Sequence, residues 1–207
     1  MQFKDYWNET HKKFSTGKTT YDNWLDDYQE VLDKCETPIL DLGCGTGNDT
    51  LYLTERGFKV IACDYSEFAL DKIKQDIQGV ETKQIDISQT LPFEDKTFDL
   101  IIADLSLHYF DEQTTKKIMQ EIKRILRPSG NLLARVNSIA DINHGAGQGE
   151  KLEENFYFVE GYNKRFFSIE DAQKFFSTIG KAKVREADML RYTKPKKVIE
   201  VNVEREF

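Results

Sequence analysis

The sequence predicts a doubly wound α/β fold: a mostly parallel sheet, helices on both faces and an antiparallel strand at the C-terminus. Three observations lead there. Short apolar runs alternate with helical periodicities from about residue 20 to residue 136, as in parallel strands joined by right-handed crossovers. Three glycines in five positions, Gly43-Cys-Gly-Thr-Gly47, stand directly behind the first apolar run, where such folds hold a nucleotide. Two closing strands, about Lys183 to Met189 and Lys197 to Val203, flank a short Lys194-Pro195-Lys196 turn, and so short a connection permits only an antiparallel pair.

The elements follow in order. Trp24, Leu25, Tyr28, Val31 and Leu32 recur at helical spacing and predict a helix over about Thr20 to Lys34. Pro38 opens the first strand, Ile39 to Leu42. The helix after the glycines carries Leu51 and Leu53 and runs to about Arg56, with Gly57 just past its end. Lys59 to Cys63 is a second strand ending in Asp64, and Ser66 caps a helix carrying Phe68, Leu70, Ile73 and Ile77. Val80 to Ile85 is a weaker third strand ending in Asp86, and SQTLPFEDKTFD is a loop.

Leu100 to Ala103 is wholly apolar, as suits a strand buried on both faces. Asp111 caps a helix through Ile118, Met119, Ile122, Ile125 and Leu126, stopped by Pro128 and Gly130; Asn131 to Val136 is the fifth strand. The stretch from Asn143 to Lys164 mixes glycines, acids and aromatics and reads as a long loop of the kind that forms lids. Ser168-Ile-Glu-Asp171 opens a helix with a capping-box pattern, carrying Ala172, Phe175, Phe176 and Ile179.

At 207 residues the chain suits one domain. Within it, 1–34 reads as an N-terminal helical lid region, 38–136 as a cofactor-binding core, 143–165 as an inserted loop near substrate, and 168–207 as a C-terminal helix and β-hairpin. A net charge of −7 argues against a nucleic-acid partner, since backbone binders carry a basic face. The N-terminal MQFKDYWNETHKKF has no long apolar core and does not read as a signal peptide, and no run approaches the ~18 apolar residues of a membrane span. Cys35, Cys44 and Cys63 form no CxxC pair, which suits a reducing, cytoplasmic setting.

The chemistry of the glycine loop narrows the nucleotide. Asp64 lies 21 residues beyond Gly43, the spacing of an acid that bonds ribose hydroxyls. A dinucleotide fingerprint wants a small third residue where this chain has Asn48, and Asp41 at the strand end would repel a pyrophosphate. A nucleoside with a cationic tail and no phosphate fits better.

Asp41-Leu-Gly-Cys-Gly-Thr-Gly47 resembles motif I of the class I S-adenosylmethionine-dependent methyltransferases, and the motif order resembles their small-molecule members. The resemblance runs strongly from Pro38 to Val136. It implies a seven-stranded sheet with the last strand inserted antiparallel, S-adenosylmethionine as cofactor and S-adenosylhomocysteine as product. It also implies roles by position. Gly43, Cys44, Gly45, Thr46 and Gly47 pass under the methionine portion, with Asp41 near its amino group. Asp64 holds the ribose, and Tyr65, Asp86 and Ile87 meet the adenine. Asp104, Leu105 and His108 line the cleft beside the sulfonium, His108 as the candidate catalytic base, while Tyr109 and Phe110 read as core. Ile125 to Asn131 matches a structural turn of the family.

The acceptor is expected to be a small molecule, methylated by direct displacement with catalysis mainly by orientation. Its walls are sought in Phe3, Tyr6, Trp7, His11 and Phe14 before the sheet, and in Phe156, Tyr157, Tyr162 and Arg165, with Arg135 and Asn137 at the end of the fifth strand. Asp104-Leu-Ser-Leu stands where amino-methylating nucleic-acid enzymes carry (Asn/Asp)-Pro-Pro-(Tyr/Phe), and no carboxylate cluster calls for a metal. Two competing readings are a non-catalytic S-adenosylmethionine-binding module and an NAD-dependent oxidoreductase. Nothing in the sequence defines the oligomeric state.

Overall fold

In a computed structural model, the structure describes residues 3–14 and 17–206. Among the described residues ten strands form: β1 Ile39–Leu42, β2 Val60–Asp64, β3 Glu81–Gln84, β4 Phe98–Asp104, β5 Leu126–Asn137, β6 Glu150–Glu153, β7 Phe156–Val159, β8 Tyr162–Arg165, β9 Gly180–Met189 and β10 Lys196–Arg205. Seven of them make one sheet in the order β3-β2-β1-β4-β5-β10-β9, and β6, β7 and β8 make a second, smaller one. Strands β1 to β5 pair in parallel, while β10 runs antiparallel to both β5 and β9. Around the large sheet lie α1 Phe3–Phe14, a 3₁₀ turn at Trp24–Tyr28 leading into α2 Gln29–Leu32, α3 Asn48–Glu55, α4 Glu67–Asp76, α5 Glu112–Ile125 and α6 Ile169–Phe176.

The period-two alternation of the central strands feeds two cores. Leu40, Leu42, Ile101, Ala103, Leu132 and Ala134 point to the face covered by α5 and α6. Ile39, Leu100, Ile102 and Leu133 point to the other, where they meet Leu25, Leu32, Tyr52 and Leu53. Each fully buried aliphatic side chain contributes about 1.5–3 kcal/mol, so this double burial is what holds the parallel strands in register. The helix starts are capped as the sequence implies: Ser66 Oγ accepts from Ala69 N at 3.2 Å and Asp111 Oδ1 from Thr114 N at 2.7 Å. Ser168 and Asp171 form a reciprocal capping box.

Four elements depart from the sequence reading. The first helix shrinks to the short 3₁₀ turn and α2, because residues 18–22 run extended and Thr19 bonds to Asp76 and to the Thr46 carbonyl. The N-terminal segment forms its own helix, α1. Strand β5 starts at Leu126 rather than Asn131: four residues, 127–130, stand between the paired Leu126 and Asn131 where Asp99 alone stands between Phe98 and Leu100, an irregularity that sets Gly130 against the Phe98 and Asp99 carbonyls. The inserted loop is a three-stranded meander, β6-β7-β8, since the turns at Asn155 and Glu160-Gly161 let an aromatic run fold on itself.

Candidate active site

The glycine loop leaves the C-terminal end of β1 and enters α3. Gly43 N and Cys44 N both donate to the Cys63 carbonyl, at 2.7 and 2.9 Å, which ties the loop to β2. Two glycines are obligatory for steric reasons. Gly43 has φ +79°, and a Cβ there would lie 2.3 Å from the Ser106 Cβ; Gly47 has φ +91°, and its Cβ would meet Ile73 Cγ1 at 2.8 Å. Cys44 is buried and Thr46 half-buried beside them.

Asp64 closes the loop. Its Oδ2 accepts from Gly45 N at 2.9 Å and its Oδ1 from Ser66 N at 2.8 Å, so each oxygen keeps lone pairs for a further donor. Next to it a cavity of about 340 Å³ is lined by Tyr65, Asp86, Ser88, Tyr109 and Phe110 among others. Asp86 Oδ1 is held by Ser88 N and Oγ, and Ile87 lies in packing distance of Gly43. A larger groove of about 770 Å³ sits near Tyr28, Asn131, Arg185 and Glu204, toward the start of β5, the end of that strand remote from Asn137.

Helix α1 lies over this edge. Asn8 Oδ1 accepts from Ser66 Oγ at 2.6 Å, and His11 Cε1 comes within 3.4 Å of where a Gly45 Cβ would be. Burial lowers the pKa of His11 against the opposing pull of Asp64. Tyr6, Trp7, Tyr109 and Tyr162 cluster with ring centroids 4.7–6.0 Å apart, so Tyr109 lines the cleft instead of filling the core. Burial and Tyr162 push the Tyr6 phenol up to about 12, and burial and Glu160 push Tyr162 to about 12, so both stay neutral. The side chains of Phe3 and Phe14 lie outside the described residues.

Several expected cleft residues are instead structural. Asp41 is 1% exposed and accepts a 2.5 Å bond from Thr50 Oγ1; burial and nearby Asp49 raise its pKa well above the usual carboxylate range. Arg135 forks Asp104 at 2.7 and 2.8 Å, bonds Asp22 and stacks 4.4 Å from Trp24, so it has no free face for substrate. Arg165 pairs with Glu153 and donates to the Phe110 carbonyl, pinning the meander to the loop after β4. Tyr157 sits in β7 opposite Lys164, its ring 6.1 Å from Phe166.

Asp104 ends β4 in a charge network that sequence reasoning missed. Arg191, from the β9–β10 turn, donates to Asp104 at 2.8 Å and to Asp22 at 3.1 Å. Burial opposes ionisation of Asp104, but Arg135 and Arg191 outweigh it and bring its carboxyl down to about 2. Leu105 follows in a left-handed conformation, φ 55°, which turns the chain toward Ser106 and His108. His108 is 3% exposed; burial, Lys196 and Lys164 hold its pKa well below 6.5, with Asp104 opposing. No local signal marks Arg191, because its partners lie up to 169 positions away.

The residues fit a nucleoside. The loop has three left-handed glycines, Asp64 has open lone pairs, and the cavity carries Tyr65 and Asp86 with no basic residue among its lining. Among the described residues, no group of three or more His, Cys, Asp or Glu is placed to hold a metal, and no helix is long and apolar enough to cross a membrane.

Comparison with known proteins agrees with this geometry. Residues 39–130 match a family model described as a methyltransferase domain. The chain is 29% identical over 118 residues to a demethylmenaquinone methyltransferase of Bacillus cereus, covering 53% of this chain and 49% of that protein. It is 33% identical over 92 residues to an uncharacterized methyltransferase of Synechocystis, covering 44% and 43%. The chain thus spans about half the length of the curated relatives it matches. A crystal structure of a SAM-dependent methyltransferase from Methanosarcina mazei superposes with a TM-score of 0.73 at 18% identity, over 90% of this chain and 99% of that one.

Proposed function

We propose that this chain, whose residues 39–130 match a methyltransferase domain and whose fold superposes on a Rossmann-like methyltransferase, transfers the methyl group of S-adenosylmethionine to a small-molecule acceptor. The observation that carries this reading is the Asp64 carboxylate, held by Gly45 and Ser66 N–H groups with lone pairs left for two ribose hydroxyls. Backbone from Gly43 to Gly47 would lie under the methionine portion, and Tyr65, Asp86 and Ile87 would take the adenine. When bound, the cofactor supplies a methyl group already activated on a sulfonium sulfur.

The chain's part is therefore to orient and to exclude water. Orientation can be worth about 7–11 kcal/mol. Helix α1 covers the loop and shields it, with His11 over Gly45. Kept neutral by its surroundings, His108 is a weak base near pH 7 and acts as a hydrogen-bonding group. A small acceptor is supported by the relatives named for demethylmenaquinone and by the aromatic walls of Tyr6, Trp7, Tyr109 and Tyr162. A cytoplasmic setting accords with three free cysteines.

Isothermal titration with S-adenosylmethionine, S-adenosylhomocysteine and NAD(H) tests the reading. Micromolar-range binding of the two adenosyl compounds is expected, weakened at least ~tenfold in Asp64→Ala, where a charge-assisted pair of hydrogen bonds is lost. Binding of NAD(H) alone would instead make the protein an oxidoreductase. Adenosyl binding without turnover across an acceptor screen would leave a binding module.

A further inference from the structure

Five buried side-chain polar atoms lack a hydrogen-bond partner among the described residues, and four of them belong to one end of the cleft. They are Asn137 Oδ1 and Nδ2, His108 Nδ1 and Arg191 Nε; the fifth, Arg205 Nε, lies at the far end of β10. Native proteins rarely leave such groups unpaired, because each forfeits its bonds to water on burial. Asn137 is 1% exposed and His108 3%.

The backbone brings these residues together. Arg165 N donates to the His108 carbonyl at 2.7 Å and Phe167 N to the Asn137 carbonyl at 2.8 Å. Those two donors are two residues apart on one extended segment, which sets the two carbonyls roughly 7 Å from each other. Asn137 also follows Arg135 by two positions and shares its strand face. Arg135 and Arg191 meet on the same Asp104 carboxylate, at 2.8 Å each from Oδ2.

The hydrogen-bonding inventory defines what would satisfy them. Arg191 Nε–H can only donate, so it needs an acceptor opposite. Asn137 Nδ2 donates as well while its Oδ1 accepts, and a neutral His108 donates through Nδ1–H in one tautomer. Lys164 and Lys196, both buried, also lie toward His108, each paired with a carboxylate, Glu160 and Asp141 respectively, at 2.7 Å. We propose that Asn137, Arg191 and His108 form the acceptor subsite, and that the acceptor is held there by an oxyanion, the oxygen of a carboxylate, enolate or phenolate. This rests on the methyltransferase reading above and names the acceptor class for it.

The test is titration of the full chain, saturated with S-adenosylhomocysteine, using benzoate and its uncharged analogue benzamide at one pH. Benzoate should bind at least ~tenfold tighter, the scale of hydrogen bonds to a charged group. Asn137→Leu should weaken benzoate about tenfold, leave S-adenosylhomocysteine affinity within about twofold and keep or raise Tm, because an unpaired buried carboxamide is replaced by an apolar side chain. Arg191→Lys keeps a cation near Asp104 but removes the Nε–H, and should show the same loss of benzoate. Equal binding of the two probes, no binding of benzoate, or a lower Tm in Asn137→Leu with benzoate unaffected overturns the proposal. Failure to bind S-adenosylhomocysteine at the outset overturns the reading beneath it instead.

Discussion

The glycine loop and the acceptor end share one edge of the sheet but are built by opposite means. At the loop, backbone N–H groups do the holding, and the groups that meet come from residues 43–66, close in the chain. At the acceptor end, charged side chains from Asp22, Asp104, Arg135 and Arg191 meet across 169 positions. Asp64 ties the loop down through the Gly45 and Ser66 N–H groups, whereas the acceptor end keeps four side-chain polar atoms unpaired among the described residues. A cofactor common to many enzymes suits a conformation set by local sterics. An acceptor peculiar to one enzyme suits side chains that the rest of the fold carries into place.

The comparison breaks most sharply at Gly43. Gly43→Val places a side chain against Ser106 in a left-handed conformation, so S-adenosylmethionine binding should fall by a hundredfold or more, about 2.7 kcal/mol. Titration reads the loss, and circular dichroism should show the sheet retained. An affinity within about fivefold of the unaltered protein would mean that the loop tolerates a Cβ and that its sterics matter less than argued.

At the acceptor end, Arg135→Met keeps the bulk over Trp24 but strips Asp104 of its bidentate partner. The loss of one member of a buried ion pair should cost about 3–5 kcal/mol in urea unfolding. A cost below about 1 kcal/mol would show that Arg191 alone satisfies Asp104.

A smaller and pH-dependent effect belongs to Asp49, which lies between the two regions and accepts from Trp24 Nε1 at 2.9 Å. Burial and Asp104 raise its carboxyl to about 7, against the pull of Arg191 and Arg135. A folded pKa above the unfolded one means stability is fully present below about pH 4 and is lost as pH rises through about 7. Asp49→Asn keeps the acceptor for Trp24 and removes the titration. It should be more stable than the unaltered protein at pH 8, by roughly 1–3 kcal/mol, and no more stable at pH 4. An equal difference at both pH values would show that Asp49 does not titrate in this range.

What could be read in advance follows the same division. Ser66, Asp111 and Ser168 announced their helices because a cap and its target are three residues apart. The glycines and Asp64 announced the loop because their spacing is a property of one strand–helix–strand unit. The helix expected over residues 20–34 broke up because Thr19 is drawn to Asp76, 57 positions on. Residues 143–165 read as a loop because β-strands of four residues carry too little periodicity to distinguish from irregular chain. Arg135 looked free for substrate only because its partner Asp104 is a neighbour in the sheet and not in the chain.

The sequence by itself determined the parallel sheet, the antiparallel return of β10, the helix caps and the glycine loop with the acid that ends β2. All of these depend on sterics, hydrogen bonds or hydrophobic period within a few tens of residues. Only the tertiary structure decided that Asp41 is buried and bonded to Thr50, that Asp104 is clamped by two arginines, and that buried polar atoms of Asn137, His108 and Arg191 stay unpaired among the described residues. Charge and desolvation act through space, so a side chain's partners and ionisation are not defined until distant segments have packed.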